Sequence, residues 1–252
     1  MTPALEVNML RKSFGGLPVT SDVTFKVMPG ERRLILGPNG AGKTTVFNLL
    51  TKFLPVTSGQ ILYKGQDITH QAAAQTARSG MVRSFQISAV FPHLTVLENV
   101  RVGLQRRLGT SFHFWKSERT LYSLNDEAMS LLEAVDLAEF AKLPTVELPY
   151  GRKRALEIAT TLAIDPELML LDEPTQGMGH EDVSRVVDLI RKVAANRTVL
   201  MVEHNMNVVS NLSDTITVLA RGSVLAEGPY EIVSKDPRVL EAYVGSTEEQ
   251  HA

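Results

Sequence analysis

The chain has 252 residues, 44% of them hydrophobic and 21% charged, with no cysteine and a formal net charge of −2. This balance suits a globular domain with a sizeable core, and it excludes a disulfide framework and a thiolate zinc site; the pI of about 6.3 argues against a nucleic-acid partner bound through overall positive charge. Neither a secretory signal nor a run of about 20 apolar residues is present, so we expect any membrane role to be exerted through partner proteins.

Strand signals and turns dominate the first part of the chain. Apolar alternation predicts strands over 5–9 and 23–27, and a strand over 33–36 runs into a glycine-rich turn followed by a helix over 43–51. From residue 94 to residue 143 the strand signals disappear and apolar residues recur at helical spacing.

The α/β alternation then returns and continues to the C-terminus. The predicted elements are a helix over 155–164, a strand over 168–171, a helix over 182–194, a strand over 198–202, a hairpin over 215–226 around Gly222, and two short helices. Such a pattern predicts an α/β fold with a mostly parallel sheet and helices on both faces.

The turn after the third strand fits the pattern G-x-x-x-x-G-K-[ST] in its required strand–loop–helix setting. The matching residues are Gly37, Pro38, Asn39, Gly40, Ala41, Gly42, Lys43 and Thr44. Glycines let the backbone wrap closely enough to offer many N–H donors to phosphate, and the helix start adds its positive dipole end. We expect Lys43 to reach the β- and γ-phosphates, Thr44 to ligate magnesium and Thr45 to contact the α-phosphate. The setting disfavours the alternative of a chance glycine-rich turn.

Two carboxylates follow the apolar strand LMLL. Asp172 at the strand tip is suited to hold magnesium, and Glu173 beside it is suited to act as general base on the attacking water. An apolar strand ending in Asp-Glu is common by itself. Its place about 130 residues after a phosphate loop, and before Pro174 and Thr175, favours the functional interpretation.

The ordered set GPNGAGKTT, Gln86 after a strand, LLDEPT and His204 in MVEHN resembles the nucleotide-binding subunit of ABC transporters over nearly the whole chain. The resemblance implies ATP and Mg²⁺ as cofactors. It implies that Gln86 acts at a hinge as a magnesium ligand and sensor of the attacking water, and that His204 contacts the γ-phosphate. Phe14 matches the aromatic residue that stacks on adenine in such proteins, with a core phenylalanine as the alternative.

The same resemblance implies a domain plan. One ABC ATPase domain would cover 1–252, with a P-loop NTPase core of RecA type and an antiparallel β subdomain over 1–86 and 155–245. An inserted α-helical subdomain over 87–154 would carry the signature motif. Residues 246–252 are expected to be a frayed tail.

The segment LPYGR stands where the family has its L-S-G-G-Q signature, which binds ATP held by the opposite subunit of a dimer. The resemblance therefore implies that Tyr150, Gly151 and Arg152 face a partner's nucleotide, although Pro149 replaces the usual serine. Cations in a first helical turn are unfavourable unless an anion is bound there; a solvated basic turn is the alternative for Arg152 and its two basic neighbours. The loop 177–179 also lacks the usual aspartate.

Several stretches resemble the ATPases of importers for branched-chain amino acids and related compounds: GPNGAGKTTVFN, PYG followed by RALEIA, and EAYVG. The stretch RRLGTSFHFWKSERTLYS is similar to the longer of that branch's two ATPase subunits. The resemblance implies a second ATPase chain, two membrane permease subunits, indirectly a periplasmic or extracellular solute-binding protein, and a peripheral location on the cytoplasmic face of the plasma (inner) membrane. We expect Phe112, Phe114 and Trp115 to pack inside the helical subdomain rather than to face membrane subunits or lipid.

Two other classes remain as alternatives. A soluble, non-transport ABC-type ATPase usually carries a long coiled-coil insertion or two cassettes, and the sequence has neither. A P-loop GTPase would carry an Asn-Lys-x-Asp motif that recognises guanine, and the sequence has no such motif. A P-loop kinase would need a site for the acceptor substrate.

Overall fold

A computed structural model describes residues 1–84, 90–105, 118–195 and 197–248. Gln86 and the aromatic residues of 112–115 lie outside these ranges. The chain divides into two compact units. The first contains Met1–Arg83, Glu167–Glu173 and Ala194–Ala252, and the second contains Ser84–Pro166 and Pro174–Val193.

Strands and helices alternate as the sequence predicts. The described strands are β1 (Leu5–Phe14), β2 (Leu17–Val27), β3 (Arg32–Leu36), β4 (Ser58–Tyr63), β5 (Gln66–Asp67), β6 (Met81–Ser84), β7 (Leu168–Asp172), β8 (Thr198–Val202), β9 (Thr215–Ala220) and β10 (Ser223–Gly228). The described α-helices are α1 (Lys43–Leu50), α2 (Ala73–Arg78), α3 (Val96–Gln105), α4 (Asn125–Ala134), α5 (Tyr150–Ala163), α6 (His180–Ala194), α7 (Met206–Leu212), α8 (Tyr230–Val233) and α9 (Pro237–Glu248). Short 3₁₀ segments lie at Glu118–Leu124, Ala138–Phe140 and Thr145–Glu147.

Two sheets share the first unit. The smaller has the order β2-β1-β4-β5 and its pairs are antiparallel, which confirms the antiparallel β part of the predicted fold. The larger has the order β10-β9-β3-β8-β7-β6, with parallel pairing from β9 through β3 and β8 to β7. The strands β3, β7 and β8 are almost continuously apolar and buried, as expected for the interior of a parallel sheet.

One apolar core joins the two sheets to helix α1. Phe47, Val46 and Leu50 on α1 are fully buried against residues of both sheets, including Leu10 of β1 and Leu200 of β8. The core holds α1 in place directly after the glycine-rich turn, so the packing of the first unit fixes where that turn lies.

The second unit is built from helices, as the loss of strand signals after residue 94 predicts. Gly103 lets α3 approach α5 closely, because a Cβ atom there would lie 2.8 Å from the Cβ of Ala163. The buried amide of Asn99 donates to the hydroxyl of Thr145 and to the carbonyl of Phe91, at 2.9 and 3.0 Å. These bonds tie α3 to the segment that precedes it and to the 3₁₀ segment Thr145–Glu147.

Some predicted boundaries differ from the structure. Helix α5 begins at Tyr150 rather than at residue 155, so the whole signature segment after Pro149 is helical. The second unit contains α5 and most of α6 in addition to the described parts of 87–154. Helix α9 continues to Glu248, three residues into the tail that is predicted to begin at residue 246. No helix among the described residues is long and apolar enough to cross a bilayer.

The β9–β10 hairpin turn packs directly on β2. The N–H of Ser21 donates to the carbonyl of Gly222 at 2.7 Å, and the N–H of Gly222 donates to the carbonyl of Ala41 at 3.2 Å. Gly222 has a φ of +79°, and a Cβ atom there would overlap the carbonyl oxygen of Val19. Glycine is therefore required at this turn both for its conformation and for the close approach.

We predict that Gly222→Ala destabilises the first unit more than Gly30→Ala does. Both glycines have nearly the same φ, +79° and +78°, but a Cβ at Gly30 meets nothing within 4 Å. The shared backbone cost is about 1–2 kcal/mol, and the clash at Gly222 adds about 1–3 kcal/mol. Urea unfolding monitored by circular dichroism measures the difference; equal unfolding free energies for the two variants would contradict the packing described here.

Candidate nucleotide site

Three parallel strands end side by side at one edge of the larger sheet. Within the ladder Val202 of β8 pairs with both Ile35 of β3 and Asp172 of β7. The glycine-rich turn, the Asp172–Glu173 pair and the segment beginning at Glu203 therefore leave the sheet at the same level. In open α/β sheets, ligands bind in the crevice outside such carboxyl ends.

The glycine-rich turn is held by backbone packed against backbone. Gly42 caps α1 with a φ of +96°, and a Cβ there would lie 3.0 Å from the carbonyl oxygen of Val19. A Cβ at Gly37 would overlap the carbonyl of Leu219. The two ends of the turn are thus fixed by β2 and β9, and the turn leads into the N-terminus of α1, where backbone N–H groups favour an anion.

Lys43 points back over the turn. Its Nζ donates to the carbonyls of Gly37 and Pro38, at 2.7 and 2.9 Å. Burial lowers the pKa of this ammonium group, and the charges of Glu173 and Asp172 act in the opposite direction. The next residue, Thr44, is exposed at the start of α1, so its hydroxyl is accessible to a ligand.

Asp172 and Glu173 occupy different environments. The carboxylate of Asp172 is fully buried, whereas Glu173 leaves the strand with a φ of +43°, a strained conformation for a side chain of this type. Its Oε1 lies 3.9 Å from Nδ1 of His204, which is 53% exposed. The two residues predicted to act on the attacking water and the γ-phosphate are therefore neighbours.

Sequence reasoning missed three residues around this site. The buried carboxylate of Glu203 accepts the N–H groups of His204 and Asn205, at 3.0 and 3.2 Å, and so orients the segment that carries His204. Arg83 on β6 forms an ion pair with Asp172. Burial of Tyr243 on α9 raises the pKa of its hydroxyl to about 12, and the nearby backbone of Gly37 acts against that rise.

Only the position of Glu203 carried a sequence signal, since this carboxylate comes directly after an apolar strand and directly before His204. Arg83 and Tyr243 lie far along the chain from the residues they contact.

Phe14 lies at the end of β1 beside the hairpin turn to β2. It is 46% exposed, which excludes the alternative of a core phenylalanine. The Nζ of Lys12 stands 5.0 Å from its ring centroid, leaving an exposed aromatic surface for a flat ligand.

The signature segment begins helix α5 in the second unit. Tyr150 is exposed and donates to the carbonyl of Gln176 at 3.2 Å, and a Cβ at Gly151 would lie 2.7 Å from the carboxylate carbon of Asp182. The guanidinium of Arg152 stacks on Phe140, at 3.8 Å from the ring centroid.

The other cations of this turn differ from a solvated basic patch. The buried Arg154 pairs with Glu157 at 2.5 Å and donates to the carbonyl of Pro174 at 3.2 Å. Lys153 donates to the carbonyl of Val146 at 3.1 Å. The alternative of a solvated turn is therefore excluded for Arg154, because its guanidinium is buried and paired within the second unit.

The donors at the sheet edge fit magnesium bound together with nucleotide. No group of three or more His, Cys, Asp or Glu side chains among the described residues is arranged to hold a metal alone. Asp172 and Thr44 offer a carboxylate and a hydroxyl oxygen, and Mg²⁺ commonly takes one or two protein ligands together with phosphate oxygens and water. This donor set suits a metal that arrives with a nucleotide.

Comparison with known proteins agrees with this geometry. A family model described as ABC transporter matches residues 20–176, more than half of the chain. The chain belongs to the ABC transporter ATP-binding family. A second model, described as branched-chain amino acid ATP-binding cassette transporter, matches residues 223–249.

Full-length relatives extend the match over the whole cassette. The chain is 39% identical to the high-affinity branched-chain amino acid transport ATP-binding protein BraF of Pseudomonas aeruginosa, over 96% of this chain and 98% of that protein. It is 38% identical to the corresponding protein LivG of Escherichia coli, with the same coverage. The crystal structure of the ADP conformation of MJ1267, an ATP-binding cassette of an ABC transporter, superposes with a TM-score of 0.85 at 30% identity, covering 97% of this chain and 100% of that one.

Membership of this family confirms the predicted P-loop NTPase core and the predicted ATPase activity. ABC cassettes bind nucleotide, dimerise and work with transporter subunits. The relatives named above are transport proteins, which decides against a non-transport ATPase, a kinase or a GTPase.

We predict that Glu173→Gln lowers ATP turnover at least about a hundredfold while the Kd for ATP stays within several-fold. The carboxylate acts on water, whereas the phosphates are held by other residues. ATP should then accumulate a dimer on size-exclusion chromatography. Glu167→Gln, which removes the exposed partner of Lys64 on the same unit, is the matched control. Turnover at half the parent rate in Glu173→Gln would exclude Glu173 as the base.

Proposed function

We propose that this chain is the ATP-hydrolysing subunit of an importer for branched-chain amino acids or related small compounds. The observation that carries the proposal is the continuous identity of 38–39% with BraF and LivG over 96% of the chain. The match of residues 223–249 to the branched-chain amino acid family model supports it independently of the phosphate loop, since this C-terminal segment is outside the general ABC match.

The proposed site holds ATP on the first unit. The phosphates lie on the N–H groups of residues 37–45, and Lys43 exchanges its contacts with the Gly37 and Pro38 carbonyls for the β- and γ-phosphates. Phe14 stacks on adenine. Thr44, Asp172 and Gln86 are the proposed magnesium ligands, and bound Mg²⁺ supplies charge neutralisation at the phosphate oxygens.

Hydrolysis is assigned to Glu173 and His204. Glu173 accepts a proton from the water that attacks the γ-phosphorus, and the bond between that phosphorus and the β–γ bridging oxygen breaks. His204, 3.9 Å from Glu173 through Nδ1 and Oε1, contacts the γ-phosphate. Glu203 fixes the backbone of His204 through its buried carboxylate, and Gln86 senses the water.

The proposed dimer places the start of α5 against the partner's nucleotide. Tyr150 and Gly151 supply N–H groups of the first helical turn, and Arg152 supplies a charge in place of the usual serine hydroxyl. The stacking of Arg152 on Phe140 orders its side chain before any nucleotide is present, which reduces the entropy lost on binding.

The proposed complex contains a second ATPase chain, identical or different, two permease subunits in the membrane, and indirectly a periplasmic or extracellular solute-binding protein. The chain would sit peripherally on the cytoplasmic face of the plasma (inner) membrane. ATP hydrolysis on the cassettes then drives uptake, while this chain has no contact with the cargo.

Reconstitution tests the proposal. The chain is co-expressed with the proposed permeases, a second ATPase and a solute-binding protein from the same genome, and the complex is placed in proteoliposomes containing ATP. We expect uptake of radiolabelled leucine, isoleucine or valine that requires the binding protein and is lost with Lys43→Ala. Control vesicles carry the complex with Arg191→Ala, an exposed change on α6. An assembled, ATP-hydrolysing complex that transports none of these three nor related amides, urea or aromatic acids would contradict the proposed cargo class.

A further inference from the structure

Arg83 forms a buried ion pair with the proposed magnesium ligand. It lies on β6, next to β7 in the larger sheet, and its side chain is 9% exposed. Its guanidinium binds the carboxylate of Asp172 through Nη2 and donates through Nη1 to Oδ1 of Asn48 on α1, at 2.7 Å. The Asp172 side chain has no exposed surface.

Aromatic rings hold the guanidinium in this position. Its central carbon lies 5.8 Å from the ring centroid of Phe47 and 5.9 Å from that of Phe53. Phe47 and Asn48 belong to helix α1, the helix that begins at Lys43, and Phe53 follows that helix and is exposed. The cation is thus fixed beside Asp172 by side chains that are not among the predicted nucleotide contacts.

A fully buried carboxylate requires a counter-charge or hydrogen-bond donors, because removing it from water without either is strongly unfavourable. Arg83 supplies that charge in the nucleotide-free chain. Magnesium bound at Asp172 would supply a positive charge to the same carboxylate. Two cations that share one carboxylate oppose each other, since each reduces the negative charge that attracts the other.

We propose that Arg83 is a positioning residue that acts as the resident counter-cation of Asp172 and sets how strongly nucleotide binding depends on magnesium. The inference rests on the proposed role of Asp172 as a magnesium ligand. With Arg83 in place, the charge of Asp172 is neutralised before metal arrives, so metal-free ATP meets little repulsion. Arg83 therefore weakens the requirement for metal during binding and keeps the empty site folded.

The variant Arg83→Gln removes the charge and keeps a hydrogen-bond donor. Asp172 then carries an uncompensated charge that repels metal-free ATP and attracts Mg²⁺–ATP. We expect the ratio of the Kd for ATP in EDTA to the Kd in Mg²⁺ to rise at least about tenfold, given charge interactions at an effective dielectric constant of about 20. Isothermal titration calorimetry measures both constants, and Arg83→Lys, which keeps the charge, should stay within about threefold of the parent ratio.

Arg33→Met provides the matched control. Arg33 is 7% exposed and pairs with Glu31 and Glu227 at 2.9 and 2.8 Å, at the opposite end of β3 from the phosphate loop. Its loss should lower the thermal midpoint while leaving the ratio of the two constants unchanged. A structural role for Arg83 would give the same result as Arg33, so a fall in stability with an unchanged ratio in Arg83→Gln overturns the inference.

A double variant keeps the test decisive if Arg83→Gln does not fold. Arg83→Gln with Asp172→Asn leaves no unpaired buried charge, whereas Asp172→Asn alone leaves the cation of Arg83 to attract metal-free ATP and repel magnesium. The ratio in the double variant should therefore exceed that in Asp172→Asn alone, and equal ratios in the two overturn the inference. The outcomes also separate the two claims: if Asp172→Asn retains the parent ratio, the proposed metal role of Asp172 fails and the inference with it. If Asp172→Asn abolishes the magnesium dependence but Arg83→Gln leaves it unchanged, only the role of Arg83 fails.

Discussion

The phosphate loop stands where it does because backbone packs directly on backbone around it. Gly42 lies against the carbonyl of Val19, and the hairpin residue Gly222 bonds to the carbonyl of Ala41 at 3.2 Å. A Cβ atom at Gly222 would overlap the carbonyl oxygen of Val19, and one at Gly42 would lie only 3.0 Å from it. The loop is therefore held by β2 and the β9–β10 hairpin before any ligand binds, and the adjoining strands bring Asp172, Glu173 and Glu203 to the same edge of the sheet. Hydrogen-bond donors that are preorganised in this way need no rearrangement when the charged phosphates bind.

The charges around the loop follow from the same geometry. Asp172 and Glu203 lie in the low-dielectric interior, where an ionised group must be satisfied by a cation or by hydrogen bonds. Arg83 forms an ion pair with Asp172, and the N–H groups of His204 and Asn205 donate hydrogen bonds to Glu203. Lys43 meanwhile binds two carbonyls of its own loop. Each of these three ionised groups has a partner within the chain. Nucleotide binding at the proposed site would replace some of these partners by phosphate oxygens and metal.

The sequence predicts the parts of this arrangement that depend on local chemistry. The order of strand, glycine-rich turn and helix around Lys43 follows from residues within about 15 positions, and the strand before Asp172 is apolar throughout. The hairpin around Gly222 and the helical character after residue 94 are predicted for the same reason. Apolar spacing predicts the start of α5 only at residue 155, whereas the signature resemblance already places Arg152 and its basic neighbours in a first helical turn, and the helix begins at Tyr150.

Long-range electrostatics lay beyond the sequence. Arg83 precedes Asp172 by 89 residues. Its neighbours in the sequence do not distinguish a buried counter-ion from a surface arginine on an edge strand. Tyr243 reaches Gly37 from the C-terminal helix, again through tertiary packing. Phe14 could be distinguished from a core phenylalanine only by its exposure. Propensity and motif spacing describe neighbours in sequence, whereas these residues matter through neighbours in space.

The central claim is that the backbone amides of the preformed loop receive the phosphates. Nuclear magnetic resonance of protein labelled with ¹⁵N-glycine tests it directly, because 17 glycines give a spectrum simple enough to assign with single substitutions. On addition of Mg²⁺–ATP, the amide protons of Gly40 and Gly42 are predicted to move downfield as phosphate oxygens accept them, while those of Gly65 on the β4–β5 turn and Gly103 on α3 stay in place. Unshifted Gly40 and Gly42 signals under conditions where calorimetry detects ATP binding would contradict the account.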